Sequence, residues 1–314
     1  MRTIGGDDIA RALTYPALVE ALEEAFRREI EVPVRHHHRV AHARADATLL
    51  IMPAWTEEFL GCKLVTVFPG NAELDKPSVF GTYLLMSGRT GEPLAVIEGR
   101  ALTAWRTAAA SALAAKYLAR QDASHLLMIG AGALAPHLVR AHASVRPIRR
   151  ISLWNRTRQR AETLAFPLVW DGFDAAVGDD LERLARDADI VCCATLSKVP
   201  LIHGEWLKPG AHLDLVGSFR PDMREADDDA LRRARIFLDT RVALQEAGDL
   251  VDPIRRGVIS AADIQGDLFE LCRGKIEGRS SAEEITLFKS VGTALEDFAA
   301  AMLVWRKLEA VGTR

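Results

Sequence analysis

The chain is 314 residues long, 49% hydrophobic and 26% charged, with a formal net charge of −3. That is enough chain for two domains of ordinary size, with the composition of a globular protein. The small net charge excludes bulk attraction to nucleic acid or an anionic membrane, no apolar run is long enough to span a bilayer, and the N-terminus lacks a signal peptide's apolar core.

In chain order, residues 16–31 predict an amphipathic helix, with Pro16 in its first turn and Leu18, Leu22, Ala25 and Phe26 on one face. Short β-rich segments follow at 34–40, 47–53, 62–68, 82–87 and 93–97, separated by turn signals, and predict a largely antiparallel sheet. Residues 101–120 predict an alanine-rich helix with Thr103 as its N-cap. From 124 onward strands alternate with helices, the strands falling at 125–130, 150–155, 189–194, 212–217 and 235–239. That alternation predicts a doubly wound parallel α/β sheet. Residues 285–310 carry apolar side chains at helical spacing and predict a long closing helix that returns to the first domain.

The strand at 125–130 runs into Gly130, Ala131, Gly132, Ala133 and Leu134, with Ala135 in place of a third glycine. A helix and a second apolar strand complete the layout of a dinucleotide-binding βαβ unit. Gly130 permits the tight turn, Gly132 lets backbone approach a pyrophosphate, and the helix N-terminus attracts the phosphates. The second strand ends in Asn155, Arg156, Thr157 and Arg158, not in the acid that would hold a ribose 2′-hydroxyl. Two cations there suit a 2′-phosphate, so the cofactor is read as NADP(H) in preference to NAD(H).

Three cations in the first part of the chain form a candidate carboxylate site: Arg35, Lys63 at the head of an apolar strand, and Arg106 in the first turn of the alanine-rich helix. The alternative is three surface cations, which spacing alone does not exclude. In the run His36, His37, His38 only the first and third share a strand face, and no metal site is expected there or elsewhere. The cysteines Cys62, Cys192, Cys193 and Cys272 include no C-x-x-C pair, so they are read as buried thiols in a reducing cytoplasm.

Five runs, LTAWRTAAASA from Leu102, IGAG from Ile129, WNRT from Trp154, VGSFRPD from Val216 and LFKSVG from Leu287, together resemble the ornithine cyclodeaminase/μ-crystallin family in order along nearly the whole chain. The resemblance implies a discontinuous α+β substrate and dimerisation domain, 1–118 with the helix 294–314, around a Rossmann domain at 119–293. It implies a homodimer acting on a small imino or amino acid. Arg35, Lys63 and Arg106 match residues that hold the substrate carboxylate or face the reacting carbon, and Thr82 one near cofactor and substrate. Thr195, Val216 and Gly217 would line the nicotinamide side, and Ser290, Val291 and Gly292 would approach it from the closing helix.

Family members include cyclodeaminases that convert ornithine to proline, alanine dehydrogenases, and reductases of cyclic imines such as Δ1-pyrroline-2-carboxylate. The cyclodeaminases carry an aspartate two positions after the glycine matching Gly217, where this chain has Phe219. Phenylalanine cannot accept a proton or pair with ornithine's distal ammonium, and Asp222 is nearby in sequence without anything to show that it substitutes. The expected activity is therefore NAD(P)H-dependent reduction of a cyclic imino acid. The alternatives are ornithine cyclodeaminase, an alanine-type dehydrogenase, and a non-catalytic NADP(H)-binding crystallin-like protein.

Overall fold

A computed structural model describes residues 1–42 and 46–312. It divides into two compact units, one formed by 1–106 with 293–314 and the other by 107–292. The division falls inside the helix Gly99–Leu118, after Arg106, and not at that helix's end.

The first unit is built on six strands: β1 (Arg2–Ile4), β2 (His36–Val40), β3 (Ala47–Trp55), β4 (Phe59–Val67), β5 (Val79–Ser87) and β6 (Pro93–Glu98). Their order is β1-β6-β5-β4-β3-β2. From β2 to β6 neighbours pair antiparallel as hairpins, and β1 joins β6 in parallel. Alternation along β4 buries Phe59, Gly61, Lys63 and Val65 on one face, the period-2 signature of a half-buried strand. The helices Tyr15–Arg27 and Ala294–Gly312 belong to this unit. The first buries Leu18, Leu22, Ala25 and Phe26, the face its spacing predicts.

The second unit holds eight parallel strands: β7 (His125–Ile129), β8 (Arg150–Trp154), β9 (Asp174–Val177), β10 (Ile190–Cys193), β11 (His212–Leu215), β12 (Ala234–Leu238), β13 (Ile264–Asp267) and β14 (Ile285–Lys289). The order β13-β12-β14-β11-β10-β7-β8-β9 is that of a doubly wound Rossmann sheet. Chain direction across the sheet reverses at the β7/β10 pair, which is the switch point where such sheets bind ligands, beyond the strands' carboxyl ends. Leu127, Ile129, Val191, Cys193, Leu213 and Leu215 sit at the centre of its core.

The expectation of one helix over 285–310 is corrected. Residues 285–289 form β14, inserted between β11 and β12, and the helix begins only at Ala294. All five residues of β14 are buried. A strand covered on both faces reads as a continuous apolar run, and that run merges without a break into the helical pattern behind it. Thr103 is not an N-cap either. It lies in the second turn of the helix and donates its hydroxyl to the Gly99 carbonyl at 2.6 Å. No helix among the described residues is long and apolar enough to cross a membrane.

Candidate active site

In the first unit Lys63 and Arg106 converge on one carboxylate. Lys63 Nζ donates to Asp297 Oδ1 at 2.9 Å and to Thr103 Oγ1 at 2.7 Å. Arg106 Nε donates to the same Asp297 oxygen at 3.1 Å, and its Nη1 to Glu296 Oε2 at 2.6 Å. All four charged side chains are buried. Arg106 is the eighth residue of its helix, so it does not add charge to the helix N-terminus as its expected first-turn position required. The reading of three surface cations fails for Lys63 and Arg106, which are inside the unit.

Two cations and two carboxylates make this cluster electrically neutral, which is what permits its burial. Burial lowers the Lys63 ammonium to about 8, the neighbouring Arg106 charge adding to the effect while Asp297 opposes it. Tyr83, opposite Lys63 on β5, is pushed well above its ordinary value, first by burial and then by the Asp297 charge. Tyr83 Oη and Asp297 Oδ2 are buried here without a hydrogen-bond partner among the described residues. Unpartnered buried atoms beside a Lys–Asp pair are what a polar ligand would satisfy.

Arg35 precedes β2 and is half-buried. His36 pairs with Ile51, and Met52, the next residue on β3, pairs with Lys63. Arg35 therefore lies one residue outside this pairing, on the side of Met52, the partner of Lys63. Thr82 is exposed and pairs with Leu64, so it stands on the sheet face opposite Lys63 and Tyr83.

The second unit gathers the remaining candidates at the carboxyl edge of its sheet. Gly130 to Leu134 follow β7, Asn155 to Thr157 follow β8, Thr195 follows β10, Val216 and Gly217 follow β11, and Ser290 to Gly292 follow β14. The last three are in the connection after a strand, not on the closing helix. Gly130 has φ +100° and a Cβ there would stand 2.5 Å from the Ala194 carbonyl oxygen, so glycine is required by the fold. Gly132 is different: a Cβ would meet nothing within 4 Å. Packing within the chain does not demand glycine at 132, and the open space above it fits a group approaching the backbone from outside. The helix Ala135–Val145 starts there without a side-chain cap, and its N-terminal dipole favours an anion. The loop therefore fits a dinucleotide.

Asn155 is engaged by the loop, Oδ1 accepting from Ala131 N at 3.1 Å and Nδ2 donating to the Thr157 carbonyl at 2.8 Å. Of the two cations after it, Arg158 is paired with Glu162 and Asp179. Arg156 is exposed.

Sequence reasoning missed the carboxylates that hold these groups. Glu296 and Asp297 read as acids suited to a helix's first turn, although an adjacent acid pair inside an apolar helix is a signal in itself. Glu225 and Asp239, both fully buried, carried no signal. Glu225 accepts from Thr195 and from the Gly217 and Ser218 amides. Asp239 Oδ2 accepts from the amides of Val291 and Gly292 at 2.8 and 2.5 Å. The sequence also did not reveal a buried group of potential metal ligands, His142, Cys192 and Asp214. In the structure His142 Nε2 and Cys192 Sγ lie 3.0 and 3.1 Å from Asp214 Oδ2, and Ser111 donates to its other oxygen.

A Rossmann unit with an open glycine loop, joined to a discontinuous α+β unit bearing a buried Lys–Arg–carboxylate cluster, defines a class of nicotinamide-dependent enzymes of small acids. Residues 6–312 match the model of the ornithine cyclodeaminase/mu-crystallin family, and the chain belongs to that family. It is 46% identical over 313 residues to Protein SAR DEFICIENT 4 of Arabidopsis thaliana, covering 93% of this chain and 95% of that one. It is 37% identical over 314 residues to a Delta(1)-pyrroline-2-carboxylate reductase of Colwellia psychrerythraea, covering 98% and 99%. Among solved structures it is similar to the Thermococcus litoralis Delta(1)-pyrroline-2-carboxylate reductase in complex with NADH and L-proline. That match has a TM-score of 0.93 and 32% identity, and covers 99% of this chain and 98% of that one.

Proposed function

We propose that the chain is an NAD(P)H-dependent reductase of a cyclic imino acid, Δ1-pyrroline-2-carboxylate or a related ketimine, yielding the L-amino acid. The observation that carries this reading is the neutral cluster of Lys63, Arg106, Glu296 and Asp297. A protonated imine beside a carboxylate is a zwitterion, and a site that presents cations and a carboxylate side by side complements both of its charges. Arg106, with Arg35, binds the substrate carboxylate. Lys63 stands at the imine nitrogen and keeps it protonated, which makes the adjacent carbon the better hydride acceptor. The dinucleotide, held by Gly130, Ala131, Gly132, Ala133, Leu134 and the strand ends at Thr195, Val216, Gly217, Val291 and Gly292, supplies the hydride. Asp297 holds Lys63 and Arg106 at fixed separation.

For the 2′-position we favour NADP(H). No acid follows β8, Asn155 is committed to the loop, and Arg156 is exposed there. Thr157 accompanies it. Thr82, on the exposed face opposite Lys63, is assigned to the cofactor side from its match to the family alone. The protein acts as a homodimer in a reducing cytoplasm. The fully exposed edge strand β2 and the exposed Val79 and Phe80 give the first unit a surface for a second copy. The test is a steady-state assay of pyrroline-2-carboxylate with NADPH and with NADH. Turnover no higher than that of Lys63→Ala sinks the reading, and proline with ammonia from ornithine would replace it with a cyclodeaminase.

A further inference from the structure

We propose that Glu225 is a positioning residue for the dinucleotide, its carboxylate tying the loop after β10 to the loop after β11 from behind. Oε1 accepts from Thr195 N at 2.7 Å and from Thr195 Oγ1 at 2.8 Å. Oε2 accepts from Gly217 N at 2.7 Å and from Ser218 N at 3.3 Å. One oxygen thus serves each loop. The two loops touch at Gly217, where a Cβ would stand 2.1 Å from the Thr195 carbonyl oxygen and 2.5 Å from Glu225 Oε1.

Glu225 is itself held. Asp249 Oδ1 accepts from the amides of Glu225 and Ala226 at 2.7 and 3.2 Å. Lys289 Nζ donates to the Leu215 carbonyl at 2.9 Å and lies 3.6 Å from Asp249 Oδ2. All three charged side chains are fully buried. Burial, reinforced by the Asp249 charge, pushes the Glu225 carboxyl up to about 7 against the pull of Lys289 and the Thr195 hydrogen bonds. Both of its oxygens face only donors, so the geometry is that of the carboxylate, which has acceptor sites for all four. A turn needing only a cap would be served by two bonds. Four bonds divided between two strand ends fix the distance from Thr195 to Gly217, the two residues that would meet the nicotinamide. The proposal rests on that assignment of Thr195 and Gly217.

The test compares Glu225→Gln and Glu225→Asp with Asp227→Asn in the full chain. Asp227 caps the short helix Asp228–Arg233 and accepts from Gly204 N and Ala230 N, so it serves as a control for loss of a nearby structural carboxylate. Glutamine keeps one acceptor oxygen and turns its amide donors on the other loop, so one tie is lost. The readouts are binding of NADH and NADPH followed by nucleotide fluorescence, the KM of imine against that of dinucleotide, and amide hydrogen exchange at Thr195 and Gly217 without nucleotide. Glu225→Gln should weaken dinucleotide binding about tenfold or more, the scale of lost hydrogen bonds to a charged group. It should speed exchange at both loops and leave the imine KM within about twofold, with Glu225→Asp intermediate and Asp227→Asn unchanged. Unaltered dinucleotide affinity in a cooperatively folded Glu225→Gln overturns the proposal; if that variant does not fold, unaltered affinity in Glu225→Asp does so. Wild-type protein that binds neither dinucleotide overturns the functional reading instead, and slowed exchange at the two loops in wild type over Glu225→Gln would still support the tie.

Discussion

Lys63 Nζ and Asp297 Oδ1 are 2.9 Å apart inside the first unit although 234 residues separate them in the chain. Asp297 shares that oxygen with Arg106. Asp297→Asn therefore leaves two buried cations facing a neutral amide. Removing one partner of a buried ion pair costs about 3–5 kcal/mol, and urea unfolding should record it. The same variant should lower kcat/KM for pyrroline-2-carboxylate by about a hundredfold or more, because Lys63 loses the carboxylate that holds it and Arg106 keeps only Glu296.

The lowered Lys63 ammonium makes two pH-dependent quantities move in a known direction. Its folded value is about 8 against an ordinary value of 10.5, with Asp297, Glu296, Arg106, Thr103 and Tyr83 around it. As pH rises through about 8 the ammonium is lost and kcat/KM should fall. Between about 8 and 10.5 the unfolded chain binds this proton and the folded chain does not, so stability from this group is gained over that window and lost as pH falls through 8. Lys63→Met should abolish both trends in a pH series of rates and denaturant midpoints.

The two glycines of the nucleotide loop should respond oppositely to the same change. Gly130→Ala forces a left-handed φ and a contact with the Ala194 carbonyl, and should destabilise by about 1–3 kcal/mol. Gly132→Ala meets open space, so stability should stay within about 0.5 kcal/mol. Its Cβ would instead occupy the approach to the backbone, and dinucleotide affinity should drop about tenfold. Thermal melts with and without nucleotide separate the two effects.

Arg156→Ala tests the cofactor preference. Arg156 lies exposed while Arg158 is paired with Glu162 and Asp179. The variant should raise the KM of NADPH about tenfold and leave that of NADH unchanged. Equal KM values for both dinucleotides in the wild type would remove Arg156 from the site.

Much of this arrangement was legible in the sequence because it rests on local signals. The hairpins of the first unit announce themselves by alternation and turns, and Gly130 and Gly132 by a strand running into glycines. Strand β14 was hidden because burial on both faces erases the alternation that marks a strand. Arg106 was recognised as a candidate, but its place in the helix was misjudged because the helix starts at Gly99. The carboxylates Asp297, Glu225 and Asp239 act through the tertiary fold. Nothing in the spacing of Asp297 from Lys63, or of Glu225 from Thr195, says that they meet.

The ion cluster also sets an order of events in folding. The acids that neutralise Lys63 and Arg106 are synthesised about 190 residues after Arg106. Until Glu296 and Asp297 exist, closing the first unit would bury two uncompensated cations, which is strongly unfavourable. The continuous stretch 107–292 has no such dependence. During translation the second unit can therefore fold while the first 106 residues wait, the reverse of the N-to-C order that chains ordinarily follow on the ribosome.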